Sequence, residues 1–220
     1  MTYSGPRARP SILKTIILAS GSPRREKLLK KIGIAFKVHA SDAAEDFESH
    51  WSPSEIVKTL ADRKARTVAL HYGNALIIGA DTIVTFNDKI LEKPATPSEA
   101  NKMLQQLSGH SHEVLTGVSL LKTDASNNIK DSTTFVETTN VIFGNLNPEL
   151  INSYVATANP MDKAGAYGIQ DPHGALFVKA IEGDYYNVVG FPLHSFYNTI
   201  VSFAPEFLSQ QKPYQNSDDF

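Results

Sequence analysis

Residues 15–25 read TIILASGSPRR, and this stretch decides the fold class. Its first half is a short, β-branched and apolar run, which predicts a buried strand. Ser22 and Pro23 follow as an N-cap and a proline at the first helical position, so a helix is expected to begin there and to end at Gly33. A strand that leads directly into a helix is typical of proteins in which helices cover a sheet.

The same helix start has the wrong charge for stability. Arg24 and Arg25 occupy its first turn ahead of the first acid, and cations beside the positive end of a helix cost about 0.3–1 kcal/mol each. The two positive charges would instead favour a bound anion. Ser20, Gly21 and the unpaired N–H groups of the helix start would converge on the same anion. The alternative is a pair of solvated surface arginines. The strand–Ser-Gly-Ser–helix context favours a phosphate site.

Further segments extend the pattern to an α/β or α+β class with a mixed sheet. Capping motifs and apolar periodicity predict helices at 52–73, 96–108, 147–154 and 193–203. Strands are predicted at 113–122 and 133–143, as a long hairpin, and at 175–181. Residues 76–86 are predicted as two buried half-strands broken at Asp81.

Composition excludes several function classes. The chain has 220 residues, a formal net charge of -2 and no cysteine. The absence of cysteine excludes disulfide scaffolds, cysteine nucleophiles and thiolate metal sites. Near-neutral charge argues against a nucleic-acid polymer as partner, and no apolar run approaches the roughly 18 residues of a membrane-spanning helix. We therefore expect a soluble, cytoplasmic protein.

The chain is predicted to form one domain at 13–206. Residues 1–12 and 207–220 are polar segments that we expect to be a flexible extension and a flexible tail. No linker or internal repeat interrupts the region between them.

Asp81 lies inside an apolar run, where an unpaired carboxylate costs several kcal/mol. It is expected to meet a metal, a cation or solvent at a strand end; a simple turn aspartate is the alternative. Glu45, in an acidic stretch, could join it as an oxygen ligand of a hard cation. Lys64 and Lys93 could each neutralise a phosphate as a point charge, although neither is specific alone.

Residues 162–174 form a second irregular region, DKAGAYGIQDPHG. Gly165, Gly168 and Gly174 permit close approach of the backbone to a ligand. Gln170 offers one donor and one acceptor group for a base edge. A plain glycine-rich connector is the alternative.

In order along the chain, these motifs resemble those of the Maf family of nucleoside triphosphate pyrophosphatases, relatives of the inosine triphosphatase-like enzymes. The similarity covers about residues 16–192. The matching blocks are LASGSPRR at 18–25, Glu45, KA at 64–65, GADT at 79–82, EKP at 92–94, SG at 108–109, AGAYGIQ at 164–170 and VGFPL at 189–193. The sequence departs from the family pattern at two places, Ala43-Ala44 before Glu45 and Asp171-Pro172 after Gln170.

The resemblance implies a two-lobed fold with a central cleft. It also implies hydrolysis of a nucleoside triphosphate to the monophosphate and pyrophosphate, with Mg²⁺ or Mn²⁺ as cofactor, by a homodimer. By this resemblance, Asp81 is the proton acceptor, and Glu45 and Asp81 are the carboxylates that bind the metal. The positions that handle phosphate are Ser20, Arg25, Lys64 and Lys93.

The resemblance assigns base selection to Arg24, Thr82 and Gln170, which match the dTTP/UTP-preferring subgroup. Gln170 and Thr82 could pair with the N3–H and O4 edge that uracil and thymine share. Three alternatives stay open: a 7-methyl-GTP-type pyrophosphatase, a nucleotide-binding regulator of cell division without catalysis, and a serine-type hydrolase that uses Ser20 or Ser22.

Overall fold

The computed structural model describes residues 14–157 and 159–208. The predicted extension at 1–12 and the tail from 209 onward lie outside these residues. The tail boundary at 207 is too early, because the last helix runs to Leu208 and buries Phe207. No helix in the described ranges is both long and apolar enough to cross a membrane.

Strands and helices alternate in the first half, and strands dominate the middle of the chain. The strands are β1 (Thr15–Leu18), β2 (Lys37–Val38), β3 (Ala75–Phe86), β4 (Lys89–Leu91), β5 (Ser111–Thr123), β6 (Ile129–Phe143) and β7 (Val178–Glu182). The helices are α1 (Pro23–Lys31), α2 (Pro53–Ala69), α3 (Pro97–Leu107), α4 (Pro148–Ala156), α5 (Gly174–Phe177), α6 (Tyr185–Val189), α7 (Leu193–Phe203) and α8 (Pro205–Leu208).

The strands form one mixed sheet in the order β2-β1-β3-β5-β6-β7, with β4 paired to β3. Strand β1 is parallel to both β2 and β3, whereas β3, β5, β6 and β7 are antiparallel to one another in succession. This confirms the predicted α/β class with a mixed sheet, and the predicted hairpin is the β5–β6 pair.

Helix α2 lies unusually close to the centre of this sheet. The helix begins with the predicted capping box. The Glu55 amide donates to the Ser52 hydroxyl, and the Ser52 amide donates to the Glu55 carboxylate. Gly79 of β3 and Gly117 of β5 face it: an added Cβ would lie 2.1 Å from the Ala61 carbonyl oxygen at the first and 2.2 Å from the Val57 carbonyl oxygen at the second. Only glycine therefore permits this approach, which brings the middle of α2 over the middle of β3.

Two predicted elements are wrong in detail. Strand β3 is continuous through Asp81, because a cation supplied by α2 removes the need for a break. Residues 175–181 are one turn of helix α5 followed by β7. The Ala175 amide donates to the Asp171 carbonyl, so a helical turn precedes the strand.

Candidate functional site

A cleft of about 900 Å³ opens beside the carboxyl end of β1, the middle of β3 and the 162–171 loop. It is lined by all the residues to which the resemblance gives a role: Ser20, Arg24, Arg25, Glu45, Lys64, Asp81, Thr82, Lys93 and Gln170. These side chains come from segments spread over most of the chain, so their meeting in one cleft is a property of the fold.

Lys64 lies between two carboxylates. Its Nζ atom is 2.6 Å from Oδ1 of Asp81 and 2.6 Å from Oε1 of Glu45. Lys64 and Asp81 expose only 9% and 8% of their surface, whereas Glu45 is exposed. The close approach of α2 at Gly79 makes the contact possible, because Asp81 is two residues further along the same face of β3.

The pairing explains why Asp81 is tolerated inside an apolar strand. Removing one partner of a buried ion pair costs about 3–5 kcal/mol, because the other charge is left uncompensated. The hydrogen bond from Lys64 also holds the pKa of Glu45 below its usual value. The Lys64 charge thus favours the ionised form of Glu45.

Arg25 is buried as well, but its partners are neutral. Its Nε donates to the Gly190 carbonyl at 3.0 Å, and its two terminal nitrogens donate to Ser20 Oγ at 3.1 Å and Thr82 Oγ1 at 3.0 Å. Burial lowers the pKa of the guanidinium, and the nearby charge of Asp81 opposes that effect. Arg25 therefore holds three parts of the cleft wall together, while no described carboxylate forms a direct ion pair with it.

The Thr82 hydroxyl belongs to the same network. It accepts from Arg25, lies 2.9 Å from Thr116 Oγ1 and is 3.4 Å from the Gly190 carbonyl oxygen. Direct pairing of Thr82 with a base would break one of these contacts. In this position the Thr82 hydroxyl is better suited to hold Arg25 and Gly190 in place than to contact the base directly.

Arg24 points to another wall of the cleft. Its terminal nitrogen donates to Asp162 Oδ2 at 2.9 Å, and Lys163 Nζ lies 2.6 Å from the other oxygen of that carboxylate. Although partial burial opposes it, these hydrogen bonds lower the pKa of Asp162. Gln170 and Lys93 line the same cleft with exposed side chains.

The carboxylates of the cleft suit a divalent metal only in part. Among residues 14–157 and 159–208, no group of three or more His, Cys, Asp or Glu side chains converges as a metal site. Glu45 and Asp81 alone offer hard carboxylate oxygens on either side of Lys64. That set fits Mg²⁺, which is commonly held by one or two carboxylates together with substrate phosphates and water. It does not fit an all-protein metal cage.

Sequence reasoning missed several residues of the site. Gly190 was visible only as a turn signal, yet its carbonyl holds Arg25 and its φ of 119° ends α6 in the left-handed region. Thr116, in the middle of β5, gave no signal. Asp162 and Lys163 were noted only as the start of an irregular loop, since their partner Arg24 is far away in the sequence.

Comparison with known proteins agrees with the geometry. The family model "Maf-like protein" matches residues 15–203. A relative from Geobacillus sp. (strain WCH70), named dTTP/UTP pyrophosphatase, is 51% identical over 82% of this chain and 94% of its own length. A protein of the same name from Bacillus cereus (strain ATCC 10987 / NRS 248) is 48% identical over 82% of this chain and 86% of its own. The chain therefore belongs to the Maf-like protein family.

Proposed function

We propose that this protein is a pyrophosphatase that cleaves dTTP and UTP between the α- and β-phosphates. The proposal rests mainly on the position of Lys64 between Asp81 and Glu45, in a cleft that Arg25 and Lys93 also line. The names of the relatives that share about half of its residues support the choice of substrate.

The phosphate chain suits the Arg25 side of the cleft. Each terminal nitrogen of Arg25 makes one hydrogen bond within the described structure, which leaves a further N–H on each for phosphate oxygens. Lys93 adds an exposed positive charge. Preorganised donors of this kind stabilise charge that develops on the leaving pyrophosphate.

Asp81 would accept the proton of the attacking water. Lys64 occupies Oδ1, while Oδ2 makes no hydrogen bond to another described residue. Water forms a bond to the α-phosphorus and gives a proton to Asp81 as the α–β bridging bond breaks. The pyrophosphate departs with the bonding electrons, and the nucleoside monophosphate remains.

We also propose that the reaction depends on a divalent cation. Glu45 and Asp81 are the residues that would hold Mg²⁺ or Mn²⁺, together with substrate oxygens. When bound, the cation would supply charge neutralisation at the phosphates. Activity should be lost on chelation with EDTA and restored by added Mg²⁺ or Mn²⁺; full activity in EDTA would contradict this part of the proposal.

The base would be selected at the opposite wall, by Gln170 and Arg24. The amide of Gln170 can accept from N3–H and donate to O4 of uracil or thymine. Such a pair of hydrogen bonds discriminates between bases by about 1–3 kcal/mol. The homodimer implied by the resemblance and the cytoplasmic location expected from the sequence stay predictions.

The test is pyrophosphate release from a panel of UTP, dTTP, CTP, GTP, ATP and 7-methyl-GTP with Mg²⁺ or Mn²⁺. We expect kcat/KM to be highest for UTP and dTTP. Equal or greater turnover of 7-methyl-GTP would overturn the base assignment. Tight binding of UTP without release of pyrophosphate with either metal would favour the regulator.

The serine-hydrolase alternative finds little support in the cleft. Ser20 Oγ accepts from Arg25 and from the Ser22 amide, and no histidine of the described chain lines the cleft. A neighbouring base is what a serine nucleophile needs. Labelling of Ser20 or Ser22 by a fluorophosphonate probe would revive this alternative.

A further inference from the structure

The loop that carries Gln170 is fastened by the carboxylate next to it. Asp171 Oδ2 accepts a hydrogen bond of 2.6 Å from the hydroxyl of Tyr154, a residue with no exposed surface. The same hydroxyl accepts from the Gly168 amide at 3.0 Å. One buried hydroxyl group therefore ties together the two residues that flank 169–170.

The Tyr154 hydroxyl is a permanent donor in this arrangement. Burial, followed by the hydrogen bond and the charge of Asp171, raises the pKa of Tyr154 far above its ordinary value. The phenol keeps its proton at any pH at which the protein works. The Tyr154 hydroxyl is the donor to Asp171 in the structure.

Asp171 also connects the loop to Arg24. Lys163 Nζ lies 3.4 Å from Asp171 Oδ2 and 2.6 Å from Asp162 Oδ1, and Asp162 in turn binds Arg24. Four alternating charges thus run from the loop to the first turn of α1. Arg24 lies at one end of this series of charges, and Gln170 is next to Asp171 at the other end. Both residues are expected to select the base.

The loop packs closely against the start of α5. A Cβ added to Gly174 would lie 2.2 Å from the Gly168 carbonyl oxygen. The side chain of Gln170 is exposed and makes no hydrogen bond to the residues that the structure describes. Its direction therefore depends on its backbone, which Asp171 and Tyr154 hold.

We propose that Asp171 is a positioning residue for base selection, which holds Gln170 and Arg24 in the geometry that recognises uracil and thymine. This inference rests on the proposed function of the cleft. Among the described residues, Asp171 contacts Tyr154 and Lys163 and makes no hydrogen bond or ion pair with Lys64 or Asp81. Its loss should therefore change the preference among bases more than the rate of the chemical step.

The test compares kcat and KM for UTP and CTP in the full-length wild type and in Asp171→Ala. We expect the ratio of kcat/KM for UTP over CTP to fall about tenfold, mainly through a higher KM for UTP, with kcat for UTP within threefold of wild type. Asp171→Asn keeps an acceptor for Tyr154 and should restore the ratio to within threefold. Asp131→Ala, an exposed aspartate on the β5–β6 hairpin, is the matched control and should not alter it.

An unchanged UTP/CTP ratio in Asp171→Ala would overturn the inference, as would a uniform fall in kcat for both nucleotides. If the wild type hydrolyses none of the panel, the proposed function fails, and calorimetric titration with the α,β-methylene analogues of UTP and CTP decides the inference separately. A preference for the UTP analogue that weakens about tenfold in Asp171→Ala supports it. Equal binding of both analogues by the wild type, or binding of neither, overturns it.

Discussion

Arg25 and Lys64 each expose 9% of their surface in the same cleft, yet their partners differ in charge. Arg25 donates to two hydroxyls and a carbonyl, whereas Lys64 meets two carboxylates. The region around Arg25 keeps a positive charge, and the region around Lys64 has a net charge of -1, from one cation and two anions. The first is suited to a phosphate chain, and the second to a proton acceptor and a divalent cation.

The largest effect is expected from removing the cation that separates the carboxylates. Lys64→Gln should lower kcat/KM for UTP about a thousandfold, because Asp81 and Glu45 lose the charge that holds them together. Pyrophosphate release measures the effect. Lys58→Gln, at an exposed position of the same helix, should retain full activity. A loss of less than tenfold in Lys64→Gln would show that the carboxylates do not need Lys64.

Arg25→Lys tests the other half of the comparison. Lysine keeps the charge but cannot reproduce the fork that reaches Ser20, Thr82 and Gly190 together. We expect the free energy of unfolding to fall by about 2–3 kcal/mol, since hydrogen bonds of a charged donor are lost. Urea denaturation measures it. Arg66→Lys, whose guanidinium is half exposed and pairs with Asp62 on α2, should change stability by less than about 0.5 kcal/mol, and an equal effect in both variants would contradict the account.

A third buried basic group, His112, has no carboxylate partner among the described residues, so nothing offsets the cost of burying its charged form. Burial lowers the pKa of His112 to about 4, while its ring is 2.8 Å from the Tyr167 hydroxyl. The unfolded chain takes up this proton near pH 6.5 and the folded chain near pH 4. The contribution of neutral His112 to the free energy of unfolding is therefore fully present above pH 6.5 and is lost as the pH falls from 6.5 to 4.

The expected loss attributable to His112 is about 2 kcal/mol between pH 7.5 and pH 4.5. Urea denaturation at both pH values should show this difference in the wild type and in His194→Phe, a control at an exposed histidine of α7. The difference should shrink by the same amount in His112→Phe. An unchanged pH dependence in His112→Phe would mean that His112 is not responsible.

The contrast between the two cations also marks how far sequence reasoning reaches. The charge of Arg24 and Arg25 at a helix start predicted an anion site, but the sequence could not say which arginine is buried. That depends on the Gly190 carbonyl, which lies 165 positions away along the chain. The cost of burying a carboxylate predicted that Asp81 meets a metal, a cation or solvent, and Lys64 is the cation that it meets. The choice of Lys64 required the crossing of α2 over Gly79 and Gly117, which only the folded chain defines.

Local signals were sufficient where the cause of the structure is local. The Ser52 capping box and the Thr96 cap start their helices as predicted. The signals failed at 175–181, where an apolar run of that length fits a helical turn as well as a strand. The contacts of Asp171 were beyond prediction as well, because Tyr154 is on another element.

The most direct test of the account is UTP hydrolysis by Asp81→Asn with Mg²⁺, measured as release of pyrophosphate at pH 8. The substitution keeps the size of the side chain and removes the proton acceptor. We expect kcat to fall at least about a hundredfold, with KM within threefold of wild type. A kcat within fivefold of wild type would contradict the assignment of Asp81 and, with it, the central claim about the Lys64 region.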